Sequence, residues 1–383
     1  MRLLFITKYV NGKPGIIPRK LIAGLSRRFD LTVLTAQRPA EPLDVPTVFV
    51  PYPIFKYDHR LQKMMIAWFG VNFFDRFWAH KAVRSVAGPF DRILGYMGFH
   101  HYPALLAGAA LKRKLGCPLA MYSVDAVPAP LGWSKDDAYF RGVRRLMARY
   151  LPACDGFASS NEKMLAYQLT TFRPSPGLKT TVLFTPGSNQ FRDLGPVPAG
   201  ERIFLYTGGL YDARTPAFLL DAFRRLVGLR SDVRLVFLGT DLKERFLSGL
   251  DAETRERIQA FPYADDLTDW YRKATALVDI DADLPDDVYL SSKITNYIFV
   301  NRLILCETGA DSPSRRLFGH IPSILQCGHD SGELLNAMET ALEQAGTVDF
   351  SDRFQVADAF RLDSIIGELC GFLNALSGSI KGG

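Results

Sequence analysis

What most constrains this chain is the alternation of short, unbroken apolar runs with longer amphipathic stretches. Leu3–Thr7 (LLFIT), Leu31–Thr35 (LTVLT), Thr47–Val50, Asp91–Tyr96, Pro118–Ser123, Gly156–Ser160 and Thr181–Phe184 each read as a buried strand, with helical segments such as Ala104–Leu115 and 136–150 between them. A strand that is apolar on both sides must be covered on both faces, which happens when helices cross between parallel strands. The expectation is α/β, with doubly wound, Rossmann-like sheets.

The punctuation then changes. Thr185–Gly200 (TPGSNQFRDLGPVPAG) holds three Pro and three Gly and reads as a linker. Beyond it the alternation restarts: Arg202–Gly209, helix Pro216–Leu229, Val233–Gly239, helix Leu267–Lys273, Ala276–Ile280, and Ser323–Cys327. A chain of 383 residues suits two domains. We expect residues 1–186 and 187–355 to form them, facing across a cleft. A C-terminal helix and tail over 356–383 is expected to pack across the junction.

Open α/β sheets bind ligands where strands end and helices begin. Two such loops stand out. In Tyr206–Pro216 (YTGGLYDARTP), Gly208 and Gly209 allow backbone N–H groups to approach an anion, and Arg214 can grip a phosphate with its fork. In Ser291–Leu305 (SSKITNYIFVNRLIL), Ser291 and Ser292 suit the N-cap of a helix starting near Ile294. Lys293 adds a cation at that helix's positive end, which is unfavourable until an anion arrives. A diphosphate site and an ordinary serine cap with a solvated lysine both fit this stretch. Asp279–Asp283 (DIDAD) could chelate a divalent ion or simply face water. No GxGxxG follows the first strand, and GxxxxGK[ST], GxSxG and HExxH are absent.

Arg60–Arg84 breaks the alternation. It carries Trp68, Phe69, Phe73, Phe74, Phe77 and Trp78, bordered by Arg60, Lys63, Arg76, Lys81 and Arg84. That composition suits a helix lying on a membrane surface, and equally a long helix whose aromatics pack on the sheet. A net charge of +6 fits an anionic partner, although no nucleic-acid-binding module is present. The five cysteines are scattered without a CxxC, which points to buried thiols in a reducing compartment rather than disulfides or zinc. The first residues lack the features of a signal peptide and no run is long enough to span a bilayer, so a cytoplasmic protein is expected, peripheral at the inner membrane face if Arg60–Arg84 docks there.

Taken together, these stretches resemble the GT-B glycosyltransferases of the retaining family-four type, which build bacterial surface polysaccharides. SSKITNY followed by VNRLIL resembles that group's Ser-Ser-Lys-Leu-x-Glu-Tyr helix, turn and buried strand. YTGGLYDARTP resembles the loop opening its donor domain, TPGSN its interdomain turn, and MYSVDAVPAPL (Met121–Leu131) a strand ending in an Asp, here Asp125. The resemblance implies sugar transfer from a nucleotide-sugar to a saccharide acceptor, lipid-linked if the membrane reading holds, with no cofactor and no metal. It also implies two domains that close over the donor. Gly208, Gly209, Arg214, Ser291, Ser292, Lys293 and Asn296 would hold the donor, and Asp125 would be the acceptor-side base or hydrogen-bonding group. Gly12, Gly15, His100 and His101 would lie on the acceptor side. The chain departs from the pattern at Asn296, where the group has the second Glu of an E-x7-E pair, at Val288 in place of the first, and at Val124 in place of a His. A nucleotide-sugar epimerase of the same fold, or a scaffold with a decayed site, are the alternatives.

Overall fold

The computed structural model describes residues 1–53, 59–98, 102–130, 132–133, 137–172, 174–187, 191–210, 213–285 and 287–376. The chain forms two compact units, one of Met1–Pro186 with Leu362–Gly383, the other of Gly187–Arg361.

In the first unit, β1 (Arg2–Thr7), β2 (Asp30–Thr35), β3 (Thr47–Phe49), β4 (Arg92–Met97), β5 (Leu119–Ser123), β6 (Gly156–Ser159) and β7 (Lys179–Val182) form one parallel sheet in the order β3-β2-β1-β4-β5-β6-β7. The apolar runs divide by pleat. Leu4, Ile6, Ile93, Leu119 and Met121 face one core, and Leu3, Phe5, Leu94, Ala120 and Tyr122 face the other. The helices are α1 (Gly12–Leu25), α2 (His59–Phe69), α3 (Phe73–Ser85), α4 (Pro103–Leu115), α5 (Asp137–Tyr150) and α6 (Glu162–Phe172). Their ends follow local chemistry. Asn72 caps α3 by accepting from Phe74 N–H at 3.0 Å, and α4 starts on Pro103 and stops at Gly116, whose φ is +72°.

Gly12 and Gly15, expected on the acceptor side, lie in the first turn of α1. Arg60–Arg84 is a helical hairpin, α2 and α3, broken at Gly70 where φ is +65°.

In the second unit, β8 (Arg202–Thr207), β9 (Val233–Leu238), β10 (Ile258–Phe261), β11 (Ala276–Ile280), β12 (Leu303–Glu307) and β13 (Ile324–Cys327) form a parallel sheet in the order β10-β9-β8-β11-β12-β13. Its helices are α7 (Ala217–Val227), α8 (Glu244–Leu247), α9 (Ala252–Glu256), α10 (Thr268–Lys273), α11 (Ile294–Tyr297), α12 (Pro313–Phe318), α13 (Ser331–Gln344) and α14 (Ser351–Ala357). The single helix expected over 356–376 is interrupted. After α14 comes a 3-10 turn at Asp358–Phe360, then α15 (Leu362–Ala375), which belongs to the first unit and packs on α1. A Cβ on Gly24 of α1 would fall 2.5 Å from Ile366 of α15, so the two helices approach as closely as a glycine permits. Arg92 satisfies the end of α15 by donating to Leu373 O and Leu376 O at 3.1 and 2.7 Å.

In both sheets the strand order reverses beside the first strand, between β1 and β4 and between β8 and β11. Ligands of open α/β sheets sit outside the strand ends at such switch points.

Candidate functional site

At the β8–β11 switch point the second unit gathers several of the residues expected from the sequence. Gly208 follows β8 with φ +90°, a conformation that favours glycine, and a Cβ there would lie 3.2 Å from Lys293 Cε. The lysine therefore lies directly over the glycine. Its Nζ stands 4.9 Å from the Tyr206 ring centroid, and the residue is 9% exposed. Arg214, also buried, donates Nη2 to Asp281 Oδ1 at 3.4 Å. Ser291 donates Oγ to Asp279 Oδ1 at 2.8 Å and accepts from Lys293 N–H at 3.3 Å. Tyr297 OH accepts from Thr207 N–H at 2.9 Å, fixing α11 to the end of β8.

The local geometry corrects two details. The Gly208 N–H, expected to be open to an anion, donates to Leu238 O at 2.7 Å and extends the sheet ladder. Gly209 carries its carbonyl to Tyr206 OH at 3.0 Å. The helix after Ser292 has four residues, and its N-cap is Lys293, with no side-chain cap bond, rather than Ser291 or Ser292, so its dipole is small. The positive charge at this point is that of Lys293 and Arg214. Ser292 is exposed, and its carbonyl accepts from the side-chain amide of Asn296 at 3.1 Å, so Asn296 is tied to the same turn.

Burial shapes the electrostatics. It pushes the Lys293 ammonium down to about 8, helped by the nearby Arg214 charge and resisted by Asp279 and Asp281. Burial, then the Asp279 charge, drives the Asp281 carboxyl well above the ordinary carboxylate range. Asp279 and Asp281 do not face water. Both are 1% exposed, and Asp281 Oδ2 also accepts from Ser312 Oγ at 3.1 Å. Among the described residues, no group of three His, Cys, Asp or Glu side chains is placed to hold a metal ion.

A pairing the sequence did not reveal lies at the neighbouring strand ends. His329 Nδ1 is 2.9 Å from Glu307 Oε1, and both side chains are buried. Burial alone would lower the imidazole, but the hydrogen bond and charge of Glu307 raise it, with Asp283 and Asp281 adding to the effect. Burial likewise raises the Glu307 carboxyl. His329 Nε2 and Glu307 Oε2 are buried without a hydrogen-bond partner among the described residues. Residue separation hid the pair, and adjacent register in β12 and β13 creates it.

In the first unit, half-buried Asp125 follows β5, and its carbonyl accepts from Ser123 Oγ at 2.7 Å. Its charge helps to raise the hydroxyl of Tyr96, after burial, the larger cause. Gly12 opens α1 with φ +62°. Gly15 is a packing residue, since a Cβ would fall 2.4 Å from the Val10 carbonyl carbon. His100 and His101 lie outside the described residues. Lys8, at the end of β1 and 1% exposed, was not singled out by sequence. Its ammonium stands 4.2 Å from the Tyr52 ring centroid, and burial lowers it against the pull of Asp75. Asp75 of α3 accepts from Tyr52 OH and is pushed up to about 6, by burial before all else.

The α2–α3 hairpin divides its aromatic residues. Trp78 is fully buried, whereas Trp68, Phe69, Phe73 and Phe77 are 66, 58, 45 and 49% exposed. Trp68, Phe69 and Phe73 stack edgewise or tilted at the hairpin corner. Among the described residues, no helix is long and apolar enough to cross a membrane.

No protein-family model matches the sequence, and no curated protein matches it significantly. Solved structures do match in shape. HepE from Anabaena, determined with UDP and glucose, superposes with a TM-score of 0.67 at 16% identity over 98% of this chain and all of that one. WaaG, a glycosyltransferase involved in lipopolysaccharide biosynthesis, gives 0.64 at 13% identity with the same coverage. The fold is GT-B. This GT-B fold is also shared by the UDP-GlcNAc 2-epimerase of Neisseria meningitidis bound to UDP-GlcNAc, with a TM-score of 0.59 at 11% identity over 98% of this chain and 100% of that one.

Proposed function

We propose that the protein is a glycosyltransferase that moves a sugar from a nucleoside-diphosphate sugar held by the second unit to a saccharide acceptor taken by the first. The observation that carries this reading is Lys293, a buried ammonium lying over Gly208 beside Arg214 at the β8–β11 switch point. Such a site holds two fixed cations where a diphosphate leaving group gathers charge, and they need no reorganisation as the bond to the sugar breaks. With that work done by side chains, the departing diphosphate needs no metal, and the acceptor attacks the face it leaves, so that the anomeric configuration is retained. The leaving phosphate takes part in accepting the acceptor proton, and Asp125 orients the acceptor hydroxyl. Ser292 and Asn296, at the rim of the same turn, contact the donor's sugar hydroxyls.

The acceptor is a lipid-linked saccharide in surface-polysaccharide assembly, reached by the first unit as a peripheral protein. Trp68, Phe69, Phe73 and Phe77 supply the apolar contact. The nearby basic side chains Lys63 and Lys81 supply attraction to anionic lipid.

The test is a thermal-shift series with UDP, GDP, TDP and ADP and their sugars, since a ligand that binds only the folded protein raises its melting temperature. One nucleotide should stand out. A flat response to all of them would refute the reading. The buried Glu307–His329 pair favours one rival, a nucleotide-sugar epimerase that uses it as acid and base. Epimer formation from a nucleotide-sugar without acceptor, lost in His329→Gln, would establish that rival.

A further inference from the structure

A cavity of about 400 Å³ opens among α3, α4, the end of α5 and the turn that follows it. That volume is within the range of small-ligand pockets, about 300–1,000 Å³. Arg76, His80, Arg113 and Arg149 line it, over a floor that includes Ala79 and Ala110. No Asp or Glu is among its described lining residues. The three arginines form no ion pair among the described residues, whereas Lys112, one residue from Arg113, is neutralised by Asp155 at 2.7 Å. Three guanidinium groups with no carboxylate in ion-pair contact around an alanine floor form a receptor for a compact anion. Arginine's planar fork suits phosphate oxygens in particular.

The setting of the cavity narrows the ligand. Arg76 and His80 lie one turn apart on α3, and Phe73 and Phe77, also one turn apart, occupy the exposed stripe beside them. Residues three and four apart on a helix are neighbours, so Phe77 and His80 stand on adjoining parts of one surface. The hairpin that carries the aromatics is held rigidly. A Cβ on Gly142 of α5 would fall 2.1 Å from Ile66 O of α2, and Arg145 donates to Ala67 O. α5 also presents Arg141 and Arg144 to solvent, with no acidic residue after Asp137.

We propose that this cavity binds the phosphate headgroup of an anionic phospholipid while the aromatic stripe of α2 and α3 enters the bilayer surface. The proposal rests on the reading of the first unit as membrane-docking, and adds a discrete headgroup site to it. Diffuse attraction would depend on the number of basic residues alone. A built site depends on which ones, and on the space between them.

The experiment measures partition of the full-length protein onto vesicles of phosphatidylcholine with phosphatidylglycerol, and onto phosphatidylcholine alone. Arg113→Gln/Arg149→Gln should lower partition onto the anionic vesicles by roughly thirty-fold or more, from about 1 kcal/mol per basic residue plus the lost fork contacts. Arg141→Gln/Arg144→Gln removes the same charge outside the cavity and should cost less. Ala110→Phe fills the cavity without changing charge and should mimic the loss, with an unchanged circular dichroism spectrum confirming the fold. Equal losses in the two arginine pairs, or unimpaired partition of Ala110→Phe, would overturn the headgroup site. So would binding of inorganic phosphate that is lost in Ala110→Phe while vesicle partition is not, because the ligand would then be free phosphate. Trp68→Ser/Phe77→Ser tests the docking reading separately, since unchanged partition there would refute the membrane contact itself.

Discussion

Replacing Lys293 by methionine should do two opposite things. Burial holds the ammonium's pKa at about 8, against an ordinary 10.5. At 1.36 kcal/mol per pH unit, keeping this side chain charged at pH 7 costs about 3 kcal/mol of stability in the empty protein. Methionine has a similar length and no charge, so Lys293→Met should be more stable than wild type by about 1–3 kcal/mol, a rise of roughly 2–4 °C per kcal/mol in the melting of the second unit. The sign with pH follows. Between about 8 and 10.5 the unfolded lysine binds a proton that the folded one has released, so wild-type stability climbs with pH there and the advantage of the variant should vanish. Nucleotide binding moves the other way. A lost charge-assisted contact of about 1.5–3 kcal/mol weakens binding of the preferred nucleoside diphosphate by roughly 10–150-fold. Calorimetric melting with and without that nucleotide reads both effects. A variant that melts lower when empty, or binds the nucleotide as tightly as wild type, would show that Lys293 is an ordinary structural lysine.

Affinity of wild type for the nucleoside diphosphate should be level below pH 8 and fall by up to about ten-fold per pH unit above it, as free Lys293 loses its proton. Isothermal titration at several pH values checks this, and a fall that persists in Lys293→Met would assign it elsewhere. Gly15→Ala should destabilise the first unit by about 2 kcal/mol or more, because its Cβ would meet the Val10 backbone at 2.4 Å; a loss under half that size, read from denaturant unfolding, would mean that α1 can shift. Asp75, raised from 3.8 to about 6, contributes stability below pH 4 that is lost as pH rises to 6, about 3 kcal/mol in all. Asp75→Asn should therefore melt above wild type at pH 7, with the gap closing as pH falls to 4, and a gap that does not change with pH would refute that account.

The sheets were legible because an unbroken run such as Leu3–Thr7 or Ala276–Ile280 has few ways to be covered, and every such run lies in a parallel sheet. Lys293 and Arg214 were legible as cations at strand-to-helix loops. What sequence could not supply was the state of their neighbours. Asp279 and Asp281 read as solvated loop carboxylates, because their partners Ser291 and Ser312 come from later in the chain. Length misled at α15, since an interrupted helix shares the apolar periodicity of a continuous one. The hairpin at Arg60–Arg84 places Trp78 in the core, as the packing reading requires, and leaves Trp68 on the surface.

The second-unit site is therefore more than a patch of positive charge. Lys293 and Arg214 lie among Asp279 and Asp281, with Glu307 and His329 alongside, all at strand ends or in the loops that follow them. Buried carboxylates this close hold the two cations in place and stop either from swinging to solvent, but each also opposes an incoming diphosphate. Burial resolves the conflict by raising Asp281 and lowering Lys293 together, so that the empty site is strained in the protonation of both. An arriving dianion favours protonated Lys293 and protonated Asp281 at once. Binding should therefore take up protons, and the heat of binding near pH 8 should vary with the ionisation enthalpy of the buffer. A cationic patch in water, its groups near their ordinary pKa values, would show no such dependence.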